Sequence, residues 1–419
     1  LKPSTQHTLT PASSRMVVAT HDALVSRKHT DNSCRNVAVE RLTRVALQVK
    51  HLVPSQVASE AEVARAKSFI KGFLAHMIIV PAWVIPPGAL AVCMSVLGSP
   101  FGAKGVIAAL GGGAGVVFGP KKLRPVLSAM FLVIGATSKR IRSVIASAVS
   151  LFLVWIISRK STIQSSPWLF NFVNRWAKDY YKQTALRGAL QDIRPTKSFF
   201  GFHPHGCLAG GFTINCVYSD AFLHAANRVT FFLDDALRYR NPGFALMAEA
   251  YNADNRKLEG CAPANFKGEM STGVNVGFIP GGFFDAVAFE YCKDVTVLRE
   301  RKGFIKYCLQ YGYRAHPVYT FGECETYHTF AGLKSLRMSI AKKNVPALAF
   351  FGWPLMPILP RPEARLMTYV GPGIDMPHIA EPSQAEVDHW HQVYMDQLAK
   401  LFNENKAEAG YPDAVLEIL

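Results

Sequence analysis

Ser198-Phe199-Phe200-Gly201-Phe202-His203-Pro204-His205-Gly206 is an apolar run of strand length that ends in two histidines, separated by a proline and released by a glycine. A short uninterrupted apolar run bounded by Pro and Gly reads as a strand buried on both faces, the kind found in parallel sheets. Four further runs share its character, at residues 229–233, 274–279, 316–321 and 347–351. Helical patterns lie between them, among them 303–311 and a long C-terminal helix. That last helix opens at Ser383 with Glu386 three residues on, a capping box that satisfies two orphan amides. Val387, Trp390, Tyr394, Leu398 and Leu401 then fall on one face. Strands alternating with helices predict an α/β domain over residues 161–419, with a central sheet flanked by helices.

Upstream the composition changes. The chain of 419 residues is 49% hydrophobic and only 18% charged, with a mean hydropathy of +0.12. That excludes an intrinsically disordered protein. The net charge is +16, yet it is not spread evenly: between Glu62 and Asp179 there is no acidic side chain, and that stretch holds 14 of the 46 Lys and Arg. The basic excess therefore belongs to the most apolar region. Membrane contact accounts for that better than nucleic-acid binding, so no nucleic-acid partner is expected. Residues 73–97 form an uncharged apolar stretch of 25, where about 20 suffice to cross a bilayer as a helix. Pro81 and Pro86-Pro87-Gly88 interrupt it, which predicts either one kinked span or two half-spans folded as a hairpin. Shorter apolar runs at 105–119, 126–138 and 143–158 follow, each ended by basic residues. Residues 69–160 thus read as an α-helical membrane-anchoring region, and 1–68 as a disordered or targeting tail. The eight cysteines form no CxxC pair and no zinc-finger spacing, so free thiols are expected.

Four constellations could carry chemistry. His203 and His205 stand just past a strand end, where α/β sites lie, and imidazoles suit acid–base work near neutral pH. A metal is the rival there because Cys207 is adjacent, but no third ligand sits at a telling spacing, so none is expected. Pro280-Gly281-Gly282 after the run at 274–279 makes a tight turn whose bare backbone can approach a ligand, with Asp285 just past it. Arg299, Arg301 and Lys302 at a helix start could hold phosphates, against the ordinary reading of a solvated charged face. The strand at 316–321 delivers Glu323 and Glu325 at its end.

These motifs, in this order, resemble the type-2 diacylglycerol acyltransferase family, which includes the monoacylglycerol and wax-alcohol acyltransferases. The resemblance covers roughly residues 160–419 and rests on Ser166-Pro167-Trp168, residues 194–206 with their His-Pro-His-Gly block, Arg301-Lys302-Gly303-Phe304, Phe321-Gly322-Glu323, Gly352-Trp353-Pro354, Tyr369-Val370-Gly371-Pro372 and residues 394–402. The His-Pro-His-Gly block is the most diagnostic. The family usually has a glutamate after its Gly-Gly turn, where this chain has Asp285, and residues 69–160 are longer and more Gly-rich than a simple hairpin.

The resemblance implies a membrane hairpin ahead of a cytosol-facing domain; the endoplasmic reticulum is the expected location, with a lipid droplet, or a plastid addressed by residues 1–68, as alternatives. It implies acyl-CoA as co-substrate, no permanently bound cofactor, and a membrane lipid alcohol as acceptor. Diacylglycerol is the first expectation, monoacylglycerol or a wax alcohol the alternatives, and a homo-oligomer is left open. Acyl transfer from a thioester to an alcohol needs a base for the hydroxyl proton and donors for the oxyanion. His203 or His205 is the expected base, His203 first by analogy with the distant glycerolipid acyltransferases, and Glu323 or Asp285 is expected to orient the imidazole. Pro204, Gly206, Gly281 and Gly282 would line the substrate, with amides near Gly206 or the Gly281-Gly282 turn as oxyanion donors. Arg299, Arg301 and Lys302 would meet the anionic end of CoA. Two other classes compete: a non-catalytic lipid-binding protein, and a hydrolase with Cys207 as nucleophile.

Overall fold

The structure, a computed structural model, describes residues 60–98, 165–342 and 348–419, and along the first of these segments the side chains of 61–80. The tail to residue 59 and the apolar runs at 105–119, 126–138 and 143–158 lie outside the described residues. Strands follow one another as β1 (Gln183–Gly188), β2 (Ser198–His203), β3 (Val229–Leu233), β4 (Arg256–Gly260), β5 (Asn275–Phe278), β6 (Asp294–Thr296), β7 (Arg314–Phe321), β8 (His328–Thr329), β9 (Phe350–Phe351), β10 (Arg365–Val370), β11 (Ile374–Asp375) and β12 (Leu416–Ile418).

The central sheet has the order β1-β10-β7-β2-β5-β3-β4, with β11 pairing the start of β7. β7, β2, β5, β3 and β4 run parallel to one another, while β10 is antiparallel to β7 and parallel to β1. The sheet is therefore mixed, with its parallel core centred on β2. Every residue of β2 is buried, as its unbroken apolar reading requires. Period-two alternation then sorts its side chains between two cores. Phe200 and Phe202 join Phe231, Val318 and Leu366 on one face. Phe199 joins Phe304, Ile305, Tyr394 and Leu398 on the other.

The helix Gln384–Asn405 covers this second face, and its predicted capping box is present in full, Ser383 accepting the Glu386 amide and Glu386 accepting the Ser383 amide. Its buried stripe is Val387, His391, Tyr394, Leu398, Leu401 and Phe402, so His391 takes a place that the apolar pattern assigned to Trp390. Gly201 explains itself here. A Cβ on it would lie 2.0 Å from the Tyr394 hydroxyl, so only glycine lets that helix close on β2.

Two expectations need correction. Residues 347–351 do not supply a strand of the central sheet; only Phe350–Phe351 is extended, and it pairs with β8 in a separate two-stranded sheet. Phe351 is exposed there, so the run is apolar without being core. The first segment is a single helix, Glu60–Gly98, continuous through Pro86-Pro87-Gly88 in place of the hairpin. Proline's fixed φ is itself helical, so a proline pair can remove hydrogen bonds without breaking the backbone path. Arg65–Leu419 is one compact unit, in which Ala75, Ile79 and Val80 are buried in the same core as Phe200 and Phe202. Among the described residues, no helix is long and apolar enough to cross a membrane.

Candidate active site

The site grows from the carboxyl ends of three neighbouring parallel strands, β7, β2 and β5, where open α/β sheets place their ligands. β2 delivers His203 and His205, the turn after β5 leads to Asp285, and the turn after β7 presents Glu323. The four expected catalytic side chains are thus gathered, but their bonds are not those expected.

His203 is buried in full, with Nδ1 3.1 Å from Thr296 Oγ1 and Nε2 3.0 Å from the Tyr394 hydroxyl. Thr296 in turn donates to Asp285 Oδ2 at 3.1 Å. Both imidazole nitrogens are therefore spent on protein partners. Burial, with nearby His391 adding to it, pushes the His203 pKa down to about 3, so the ring is neutral.

His205 is half-buried and differently placed. Its Nδ1 lies 3.1 Å from the Gly206 carbonyl. A carbonyl only accepts, so Nδ1 carries the proton and Nε2 keeps a free lone pair. Burial lowers this pKa as well, which keeps the lone pair available near neutral pH.

Neither carboxylate bonds an imidazole, where one of the two was expected to. Asp285 accepts the His205 backbone amide at 3.1 Å, together with the Val297 amide and the Thr296 hydroxyl. It holds the backbone that carries His205 rather than the ring. Burial raises its pKa to about 6, against the pull of those donors. Glu323 accepts the Gly210 and Gly211 amides at 2.9 and 2.7 Å, and burial raises its pKa to about 7 despite both bonds.

The glycines answer to these carboxylates. Gly206 has φ +63°, and a Cβ there would sit 2.5 Å from Glu323 Oε1; a Cβ on Gly281 would sit 2.1 Å from Asp285 Oδ1. The close approach read from the sequence is real, and what approaches is a protein carboxylate. The Gly282 amide donates to the Ile279 carbonyl and is not free for an oxyanion. Pro204 follows His203 through a cis peptide bond.

The three basic residues also separate. Lys302 is paired with Asp388 at 2.7 Å, and Arg299 Nε donates to the Ile418 carbonyl at 2.9 Å. Arg301 instead lies with its guanidinium 4.1 Å from the Phe284 ring centroid, beside Asp285. Cys207 is buried and burial holds its thiol far above the ordinary range, the opposite of an activated nucleophile. Among the described residues no cluster of three His, Cys, Asp or Glu could hold a metal ion. Thr296, Tyr394, Gly210 and Gly211 belong to the site without having been singled out for it. Tyr394 was visible as a helix-face residue and as the first residue of the 394–402 motif, with no chemical role attached, and Thr296 carries no signal in the sequence.

Histidines and buried carboxylates gathered past the carboxyl ends of the middle strands of an α/β sheet are an arrangement suited to acid–base chemistry. Residues 136–419 match the family model described as diacylglycerol acyltransferase, and the chain belongs to that family. It is similar to acyl-CoA wax alcohol acyltransferase 1 of Homo sapiens, with 30% identity over 62% of this chain and 81% of that protein. It is 28% identical to 2-acylglycerol O-acyltransferase 1 of Bos taurus, over 62% of this chain and 82% of the relative. Diacylglycerol O-acyltransferase 2 of Homo sapiens is 25% identical, over 64% and 73% respectively. No solved structure matches.

Proposed function

We propose that the protein is a membrane-bound O-acyltransferase that moves a fatty acyl group from acyl-CoA to a lipid alcohol, with His205 as general base and diacylglycerol as acceptor. The observation that carries this is the tautomer of His205, whose Nδ1 is committed to the Gly206 carbonyl while Nε2 remains a bare acceptor. Nε2 takes the proton from the acceptor hydroxyl as its oxygen attacks the thioester carbonyl. The tetrahedral oxyanion is met by the amide of Gly206. The C–S bond then breaks, and the proton on Nε2 returns to the leaving CoA thiolate.

Asp285 keeps the His205 backbone in place through its amide, and Glu323 does the same for the turn at Gly210 and Gly211. Arg301, stacked on Phe284, is the guanidinium offered to the CoA phosphates. A cavity beside Glu323, walled by Ile79, Val80, Leu208 and Ile214, gives an apolar approach from the side of the helix Glu60–Gly98. The reading places the protein at the endoplasmic reticulum membrane with its catalytic domain toward the cytosol.

The test is to incubate membranes holding the protein with labelled acyl-CoA and a panel of diacylglycerol, monoacylglycerol and long-chain alcohol, then identify the ester. Triacylglycerol is the expected product. His205→Ala should lower kcat by roughly 10²–10⁴-fold with little change in acyl-CoA binding, the usual worth of a positioned base. Near-wild-type turnover in that variant overturns the mechanism.

A further inference from the structure

The second-longest stretch without acidic side chains lies far downstream of the first. Between Glu325 and Glu363 there is no Asp or Glu, while Lys334, Arg337, Lys342 and Arg361 lie within it. The fold brings this stretch against the start of the first acid-free region. Trp353 packs edge-on against Phe69 and Phe73 of the helix Glu60–Gly98, with ring centroids 6.2 and 6.0 Å apart.

The exposed apolar surface follows the same two stretches. Among the described residues eleven large hydrophobic side chains are exposed, and nine of them lie in the two acid-free stretches. Only Tyr239 and Val415 fall elsewhere. Chance does not distribute them so, because the stretches contribute a minority of the described chain. The second stretch carries five of the nine, including Leu355 at 74% and Leu333 at 67%. The helix Lys334–Ala341 shows how: Leu336 faces solvent while Arg337 turns inward and donates to the carbonyls of Val287, Ala331 and Gly332. A burial pattern that points leucine outward and arginine inward is the reverse of a water-facing helix.

We propose that the lobe formed by residues 326–342 and 348–362 is a membrane-contact surface, seated at the headgroup–acyl boundary of an anionic phospholipid leaflet. The exposed side chains of Phe330, Leu333, Leu336, Phe351 and Leu355 enter the boundary, and Lys334 and Lys342 meet lipid phosphates. The absence of carboxylates across both stretches removes the repulsion that an anionic surface would otherwise impose. Continuity through Trp353 with Phe69 and Phe73 favours lipid over a protein partner, because that helix runs on into the uncharged stretch at 73–97. The inference rests on the lipid-acceptor reading above and adds to it which face of the domain meets the bilayer.

The whole chain would be reconstituted in phosphatidylglycerol–phosphatidylcholine vesicles doped with a phospholipid bearing a diazirine midway along one acyl chain. After irradiation the labelled peptides are mapped by mass. Label is expected in peptides carrying Phe330, Leu336 and Leu355, and not in those carrying Tyr239 or Val415. Equal labelling of the Tyr239 and Val415 peptides, or none in the lobe, overturns the proposal. No turnover is needed, so this outcome stands apart from the acyl-transfer reading, which fails on its own if the wild type forms no ester. As a second measurement, Leu336→Glu with Leu355→Glu changes only exposed positions. Ester formation with vesicle-borne acceptor should fall about tenfold while the rate in detergent micelles stays level. Unchanged rates on vesicles would also overturn it.

Discussion

At the scale of single residues, two histidines one residue apart have opposite fates. His203 is sealed between Thr296 and Tyr394; the His205 Nδ1 meets the Gly206 carbonyl, which leaves its Nε2 as the acceptor. The difference is open to measurement through pH. The folded-state pKa of His203, about 3, lies below its ordinary 6.5. The neutral ring's contribution is complete above pH 6.5 and is lost as pH falls from there toward 3. The urea midpoint of the wild type should therefore drop between pH 8 and pH 5. His203→Gln should begin about 1–3 kcal/mol lower at pH 8, from the unmet Thr296 and Tyr394 groups, and show a shallower acid limb. An acid limb as steep as the wild type's would show that other groups set it. Cys207→Ser, by contrast, is expected to keep turnover within a few-fold, since a thiol that burial holds protonated is no nucleophile. Inactivity of that variant, with normal folding, would return the assignment to a thiol mechanism.

At the scale of elements, the capping box of Gln384–Asn405 ties a local signal to the site. That helix carries Tyr394, which holds His203 and the Gly201 carbonyl. Ser383→Ala should cost about 1 kcal/mol of stability, read as a lowered urea midpoint, with kcat nearly unchanged. Elements of this kind were legible because their signals are short-range: β3 and the helix Gly303–Tyr311 match the sequence reading residue for residue. β4 was not legible. Its sequence Arg256-Lys257-Leu258-Glu259-Gly260 alternates weakly at a sheet edge, and its polar side chains are held by partners distant in sequence, as Lys257 is by Glu269. β10 was missed although Leu366 and Met367 are apolar, because it follows an irregular Pro-rich segment that gives no helix–strand alternation to count. The site divides in the same way. His-Pro-His-Gly and the Gly281-Gly282-Asp285 turn announce chemistry in a line of text, whereas the Thr296 and Tyr394 contacts to His203 join positions 93 and 191 residues away. No spacing rule reaches that far.

At the scale of the whole molecule, charge and hydropathy are laid out as an address. The two longest acid-free stretches are joined by the fold through aromatic contacts, and the exposed apolar side chains gather on them. The catalytic strand ends need no such surface for their own stability. On the membrane reading proposed above, the two stretches are expected to act differently on membrane association. That reading assigns embedding to the uncharged stretch at 73–97, and contact and orientation to the lobe at 326–342 and 348–362. Alkaline carbonate strips proteins held by charge or shallow contact and leaves those embedded in hydrocarbon. A chain beginning at residue 60 is therefore expected to stay in the membrane pellet. The same chain with Leu336→Glu and Leu355→Glu should stay there too, although its rate on vesicle-borne acceptor falls. Release of the first chain would refute embedding by residues 73–97. Retention of the first with release of the second would make the lobe the anchor, and would reverse the roles assigned to the two stretches.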